Sequence, residues 1–209
     1  MTEGEAGAGL RRRAVVERAT RETEIRLVLD LDGSGEFAGQ TGVGFFDHML
    51  ASFARHGLVD LEVRVARADL HVDAHHTVED TGLCLGRALD QALGERAGLA
   101  RFGEAAVPMD EAWVLAAVDL SGRPYLGWQV PTLDVPGARV GAMEAELVRE
   151  FFKAVAFTGR MALHVRELSP GNLHHLAEAC FKAVAVALSR AVQVDGRRAG
   201  QVPSTKGVL

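Results

Sequence analysis

The phrase His-His-x-x-Glu occurs twice, at His75-His76-Thr77-Val78-Glu79 and at His174-His175-Leu176-Ala177-Glu178, 99 positions apart. Each copy opens an Ala-, Leu- and Val-rich run with helical periodicity. Such a repeat constrains the fold first of all. It predicts a duplicated half-domain that presents the start of the same helix twice. Two units are too few for a solenoid, so the halves are expected to pack face to face.

Helix geometry divides the phrase. Neighbouring residues on an α-helix point about 100° apart, whereas residues three apart share a face. His76 with Glu79, and His175 with Glu178, are expected to share faces, leaving His75 and His174 to point elsewhere. Adjacent imidazoles on one helix suit two metal ions better than one. Glu-x-x-His pairs at i, i+3 furnish di-metal sites in helical carboxylate proteins by the same logic.

Of the eight histidines, six have ligand-like placement: His48, His75, His76, His164, His174 and His175. His56 and His71 read as ordinary residues. With Glu79 and Glu178, the six make two sites of three imidazoles and one carboxylate. Four protein ligands leave an octahedral ion two open positions, as catalysis needs. One expected set is His48, His76, Glu79 and His174; the other is His75, His164, His175 and Glu178. Imidazole and carboxylate without thiolate favour Mn, Fe or Zn, and octahedral geometry favours Mn.

The chain has 209 residues, 48% hydrophobic and 24% charged, enough for one domain or two fused halves with a real core. The net charge of −5 gives no basis for binding nucleic acid. No apolar run is long enough for a membrane span. Residues 1–10, MTEGEAGAGL, lack the character of a secretory or transit signal and read as a disordered tip. Cys84 and Cys180 fall inside apolar helical stretches and read as core thiols, which fits a reducing cytoplasmic location.

Along the chain, residues 14–31 read as strand, and Asp32-Gly33-Ser34-Gly35 as a hairpin turn. A helix is expected from Gly44 to about Arg55, a strand over 58–66, and a helix from His76 to about Leu93. The second half reads as strands over 112–120 and 125–130, a helix over 143–158, a strand over 161–167 and a helix over 174–194. Each half is thus strand, strand, helix, strand, helix, an α+β pattern with sheets covered on one face. The divisions are a first half at 11–97, a second at 98–194 and a tail at 195–209. Residues 131–142 form a connector.

Five separated motifs resemble the imidazoleglycerol-phosphate dehydratase family: the Arg18–Gly35 run, FFDHML (45–50), HHTVEDTGLCLG (75–86), NLHHLAEACFKA (172–183) and PSTKGVL (203–209). The resemblance covers about residues 13–209. It implies a tandem duplication in which each half is a mixed, mostly antiparallel four-stranded sheet with two helices on one face, as in the second domain of ribosomal protein S5. It implies dehydration of D-erythro-1-(imidazol-4-yl)glycerol 3-phosphate to 3-(imidazol-4-yl)-2-oxopropyl phosphate, in histidine biosynthesis. It also implies two Mn(II) ions per site, and a homo-oligomer of 24 subunits with sites between subunits.

That reaction removes a hydroxyl and a poorly acidic proton from neighbouring carbons, so the imidazole ring must act as electron sink. The expected course runs through a metal-bound imidazolate and a diazafulvene-like intermediate. Glu22 matches the family's proposed acid/base carboxylate; His48, His75, Glu79, His174 and Glu178 are expected beside the reacting groups. Arg101, Arg123, Ser204 and Lys206 match the phosphate-binding positions, and Arg supplies planar bidentate donors there. The tail 203–209 is expected to order over the site when substrate binds. Gln40, Asp110 and Glu111 are further near-site candidates. Two other functions fit paired metals: a di-metal hydrolase, and an assembly stapled by ions.

Overall fold

The computed structural model describes residues 11–198, 200–207 and 209; the expected disordered tip lies outside them. The first half contains β1 (Arg13–Ala19), β2 (Glu24–Asp30), β3 (Phe37–Gln40), α1 (Gly44–Gly57), β4 (Asp60–Arg67) and α2 (His75–Leu93). The second contains β5 (Phe102–Met109), β6 (Ala112–Asp119), β7 (Tyr125–Gln129), a short ribbon of β8 (Arg139–Val140) and β9 (Met143–Glu144), α3 (Leu147–Thr158), β10 (Ala162–Ser169) and α4 (Leu173–Ala191). A single 3-10 turn follows at Gly196–Arg198.

The two large sheets have the same topology. Their orders are β1-β2-β4-β3 and β5-β6-β10-β7, each antiparallel except for a parallel edge strand, β3 or β7. Strand alternation sends Ala14, Val16, Ile25, Leu27, Leu61 and Val63 inward in the first sheet, and Val114, Ala116, Leu163 and Val165 in the second. The helices cover those inner faces and then meet across the halves, α2 on α3 and α1 on α4. Phe46, Phe151, Phe152 and Phe181 form the aromatic centre of that contact; Phe151 and Phe181 stack with centroids 5.2 Å apart. Gly86 of α2 permits the approach, since a Cβ there would collide with Thr158 and the Val155 carbonyl of α3.

The halves correspond in register through their first helices. Leu58 and Arg160 both close their first helices in the left-handed conformation, a shift of 160 − 58 = 102 positions. The same shift carries the buried set Phe46, Met49, Leu50 and Phe53 onto Val148, Phe151, Phe152 and Val155. The His-His-x-x-Glu copies are only 99 apart, so the loop before α2 is three residues longer (102 − 99 = 3) than the loop before α4.

Three expectations change. The first hairpin turns at Thr20–Thr23, not at 32–35, which instead leads to β3. Thr20 makes that turn without Gly, Pro or Asn: its Oγ1 accepts from the backbone N–H groups of Glu22 (3.1 Å) and Thr23 (2.9 Å). Strands β3 and β5 escape the periodicity reading. The first is four residues long with an interior Gly39, and the second is Ala-rich with Pro108, tolerated on an edge. Helix α3 starts at Leu147 because residues 143–144 pair back onto 139–140. Both cysteines are buried; burial pushes the Cys84 thiol up to about 11 and raises Cys180 further.

Candidate active site

Both signature helices begin on a fixed backbone. Asp73 accepts from the N–H of His75 and Asn172, the cap of α4, from that of His174, each at 2.8 Å, so an Asx side chain two residues upstream anchors the backbone of each first histidine. Glu178 is 7% exposed, and one of its oxygens lies 3.3 Å from Nε2 of both His48 and His174. Its other oxygen takes Lys182 Nζ at 2.7 Å. Burial works to raise the Glu178 pKa, but the Lys182 ammonium and then His48 outweigh it, and the carboxyl sits below its ordinary range. Candidate ligand atoms of His48, His174 and Glu178 all fall within 4.8 Å of one another.

The structure corrects the expected pairing. Glu178 stands with His48 and His174, not with His175, and Glu79 faces His75 at 3.9 Å rather than His76. Side chains lean toward the helix N-terminus, so the i, i+4 residue is the one each carboxylate reaches.

The second histidine of each pair finds a different acid. Asp69 Oδ2, in the longer loop, accepts from His76 Nδ1 at 2.8 Å, and Glu22 Oε1 lies 3.8 Å from His76 Nε2. That hydrogen bond raises the His76 pKa and lowers that of Asp69. In the second half, Glu111 lies 3.1 Å from His175 Nδ1 and Asp110 lies 3.8 Å from His175 Nε2. Glu111 also accepts from Asn172 N at 2.6 Å, and that backbone N–H holds its carboxyl at about 2. Each imidazole thus has its Nδ1 beside one carboxylate and its Nε2 3.8 Å from a second. Asp69 escaped the sequence reading; a lone Asp in a loop carries no spacing signal.

His164 stands apart. It lies on β10, on the outer face of the second sheet, with its ring 5.3 Å from that of Tyr125. Gly127 on β7 makes room, because a Cβ there would strike the imidazole. The duplication does not relate His48 to His164: a shift of 102 pairs His48 with Glu150 and His164 with Glu62.

The phosphate candidates gather at the other end of the chain. Arg101, left-handed at φ 72°, grips Asp119 with Nε and Nη2 (2.7 and 3.2 Å) and donates from Nη1 to the Pro203 carbonyl (2.7 Å). Arg101 and Ser204 border one cleft. Leu209 runs back over Gly122, beside exposed Arg123. Lys206 is exposed, its backbone N–H held by Ser204 Oγ. Arg101 N also bonds the Ala191 carbonyl at the end of α4, whereas His174 begins that helix. One chain therefore separates Arg101 from His174 by the helix length, about 25 Å, whereas His164 lies two residues along β10 from the partner of Asp119. Gln40 is exposed at the end of β3, paired with Arg64.

A family model described as imidazoleglycerol-phosphate dehydratase matches residues 41–188. Curated dehydratases from Ruegeria sp. (strain TM1040) and Moorella thermoacetica are 56% and 55% identical over 198 residues, 95% of this chain and 100% and 98% of theirs. The crystal structure of imidazoleglycerol-phosphate dehydratase from Staphylococcus aureus is 33% identical with a TM-score of 0.77, covering 87% of this chain and 99% of that one. The Pyrococcus furiosus structure, solved in complex with (S)-C348, is 34% identical with a TM-score of 0.77, covering 93% and 100%. With its duplicated α+β halves, the chain stands among the carbon–oxygen hydro-lyases. It belongs to the imidazoleglycerol-phosphate dehydratase family, enzymes of histidine biosynthesis.

Proposed function

We propose that this chain dehydrates D-erythro-1-(imidazol-4-yl)glycerol 3-phosphate with two Mn(II) ions, in sites shared between subunits. The observation that carries the metal reading is the buried Glu178 carboxylate between His48 and His174. The oriented imidazoles of His76 and His175, with carboxylates on Nδ1, fit the same purpose. The donors are nitrogen and oxygen only, a set that suits Mn over softer-ligand metals. His48, His75, His76, Glu79, His164, His174, His175 and Glu178 would hold the ions, which bring Lewis acidity to the substrate ring.

Glu22 moves the proton in this reading. Its carboxylate accepts no hydrogen bond among the described residues, while its counterpart Glu111 is committed to Asn172 and His175. A free carboxylate beside His76 can take a proton from the substrate carbon and return it. Arg101, Arg123, Ser204 and Lys206 would bind the phosphate, and the tail 203–209 would close on it.

The separation of Arg101 from His174 along α4 supports a site shared between subunits. The second sheet's outer face, with His164, carries exposed Phe102, Trp113 and Tyr125, where the first sheet carries Glu17, Arg26, Glu62 and Arg64. Exposed aromatics set among Glu104, His164 and Arg166 suit a second copy of the chain. A shell of 24 subunits remains the form that the family likeness suggests.

The test is an ultraviolet assay for the enolised product on stripped and Mn-reconstituted protein. Activity that returns only with metal supports the reading, and full activity after stripping overturns the metal part. Turnover of esters but not of the glycerol phosphate would favour a di-metal hydrolase.

A further inference from the structure

We infer that Asp80, Thr23 and Arg18 are positioning residues that hold the Glu22 turn against the helix bearing His76. This inference rests on the proton-transfer role proposed for Glu22. His76 and Asp80 are i, i+4 on α2 and so share a helix face. Asp80 is 4% exposed and Thr23 is fully buried. One Asp80 oxygen accepts from Thr23 Oγ1, and the other forms an ion pair with the Arg18 guanidinium, 2.8 Å from Nε but without hydrogen-bond alignment. Arg18 is the next-to-last residue of β1 and Thr23 immediately precedes β2, so the one carboxylate contacts both sides of the hairpin turn. Within the turn, Thr20 Oγ1 holds the backbone N–H of Glu22 at 3.1 Å, and Thr20 N donates to the Thr23 carbonyl at 2.8 Å. Arg67 of β4 closes the ring by donating to the Thr20 carbonyl.

The second half lacks this device. The residue after Glu178, at the place of Asp80, is Ala179. There the turn residue Glu111 makes the fastening bonds itself, to Asn172 N and His175. A carboxylate that fastens its own turn cannot also carry protons freely. In the first half the fastening is delegated to Asp80, which leaves the Glu22 carboxylate uncommitted at 3.8 Å from His76. The buried ion pair thus serves placement of a neighbouring group rather than chemistry of its own.

The experiment compares Glu22→Gln, Thr23→Val, Thr23→Ser, Asp80→Asn and the double variant E22Q/T23V, each as the assembled, metal-loaded enzyme. Thr23→Val keeps the shape and deletes the hydroxyl. It should lower kcat by roughly 10- to 100-fold, the loss that sub-ångström to ångström misplacement brings. KM and bound metal should stay near wild type, and Thr23→Ser should restore kcat. Thr23→Val should add nothing on top of Glu22→Gln, because it acts through that carboxylate. Asp80→Asn is the second route to the same turn and should give the same kcat-only loss if Thr23→Val folds poorly. Wild-type kcat in T23V beside a crippled E22Q overturns the tether alone, as does a T23V loss that persists in full in the double variant. Wild-type kcat in E22Q removes Glu22 from the mechanism and this inference with it.

Discussion

His48 and Glu178 come from opposite halves of the chain, yet His48 Nε2 lies 3.3 Å from Glu178 Oε2. Packing of α1 on α4 makes that pair, so the candidate metal centre depends on the contact between the halves rather than on either repeat alone.

The first prediction concerns that centre. Replacing His48 or His174 by Ala, or Glu178 by Gln, should lower bound metal after dialysis by tenfold or more on the order expected for lost ligands. His56→Ala and His71→Ala should leave it unchanged. Elemental analysis of the purified variants decides, and full metal in all three ligand variants would refute the assignment.

The carboxylates behind the imidazoles should matter nearly as much. Asp69→Asn and Glu111→Gln each remove the charge that orients a histidine, and about 10- to 100-fold weaker metal binding is expected. Titration with Mn(II) followed by electron paramagnetic resonance measures it. Wild-type affinity in both variants would mean that these carboxylates serve the loops alone.

Mixing should reveal where each site draws its parts. His48→Ala and Arg101→Ala change residues beside opposite ends of α4, and each alone should be nearly inactive. Co-assembled at equal amounts, they should regain activity toward about a quarter of wild type, because some interfaces then join two intact contributions. No recovery in verified mixed oligomers would place the whole site within one chain.

Acid stability should report Asp60. Its carboxylate accepts from the backbone N–H groups of Ser34, Gly35 and Glu36, with Ser34 the strongest influence, and its pKa is lowered from 3.8. A depressed carboxylate stabilises the fold above its unfolded pKa and loses that contribution as pH falls through the folded value. Asp60→Ala should therefore melt below wild type at neutral pH, with the gap closing in acid. A gap that is constant with pH would rule out an electrostatic origin.

The repeat was legible because His-His-x-x-Glu is rare and its helices are long and periodic. The candidate ligands on those helices were legible for the same reason. What the sequence hid was local and tertiary. A hairpin built on Thr20 and Thr23 has no Gly or Asn to announce it, and an edge strand such as β5 has no clean alternation. The i, i+4 pairing of each Glu with the first histidine depends on how side chains lean along a helix, which spacing alone leaves open between three and four. Asp69 and Asp80 act through contacts across seven and 57 positions, and no local pattern carries that.

The cross-packing of helices has one more consequence. With α1 on α4 and α2 on α3, the chain is a two-fold dimer folded from one polypeptide. In a dimer of identical subunits, whatever stands at one symmetry-related position must stand at the other. Covalent linkage of the halves lifts that obligation. Position 48 can be an imidazole while position 150 is a carboxylate, and position 164 can be an imidazole while position 62 is a carboxylate. An asymmetric set of side chains is thereby written onto a scaffold whose two sheets keep the same topology.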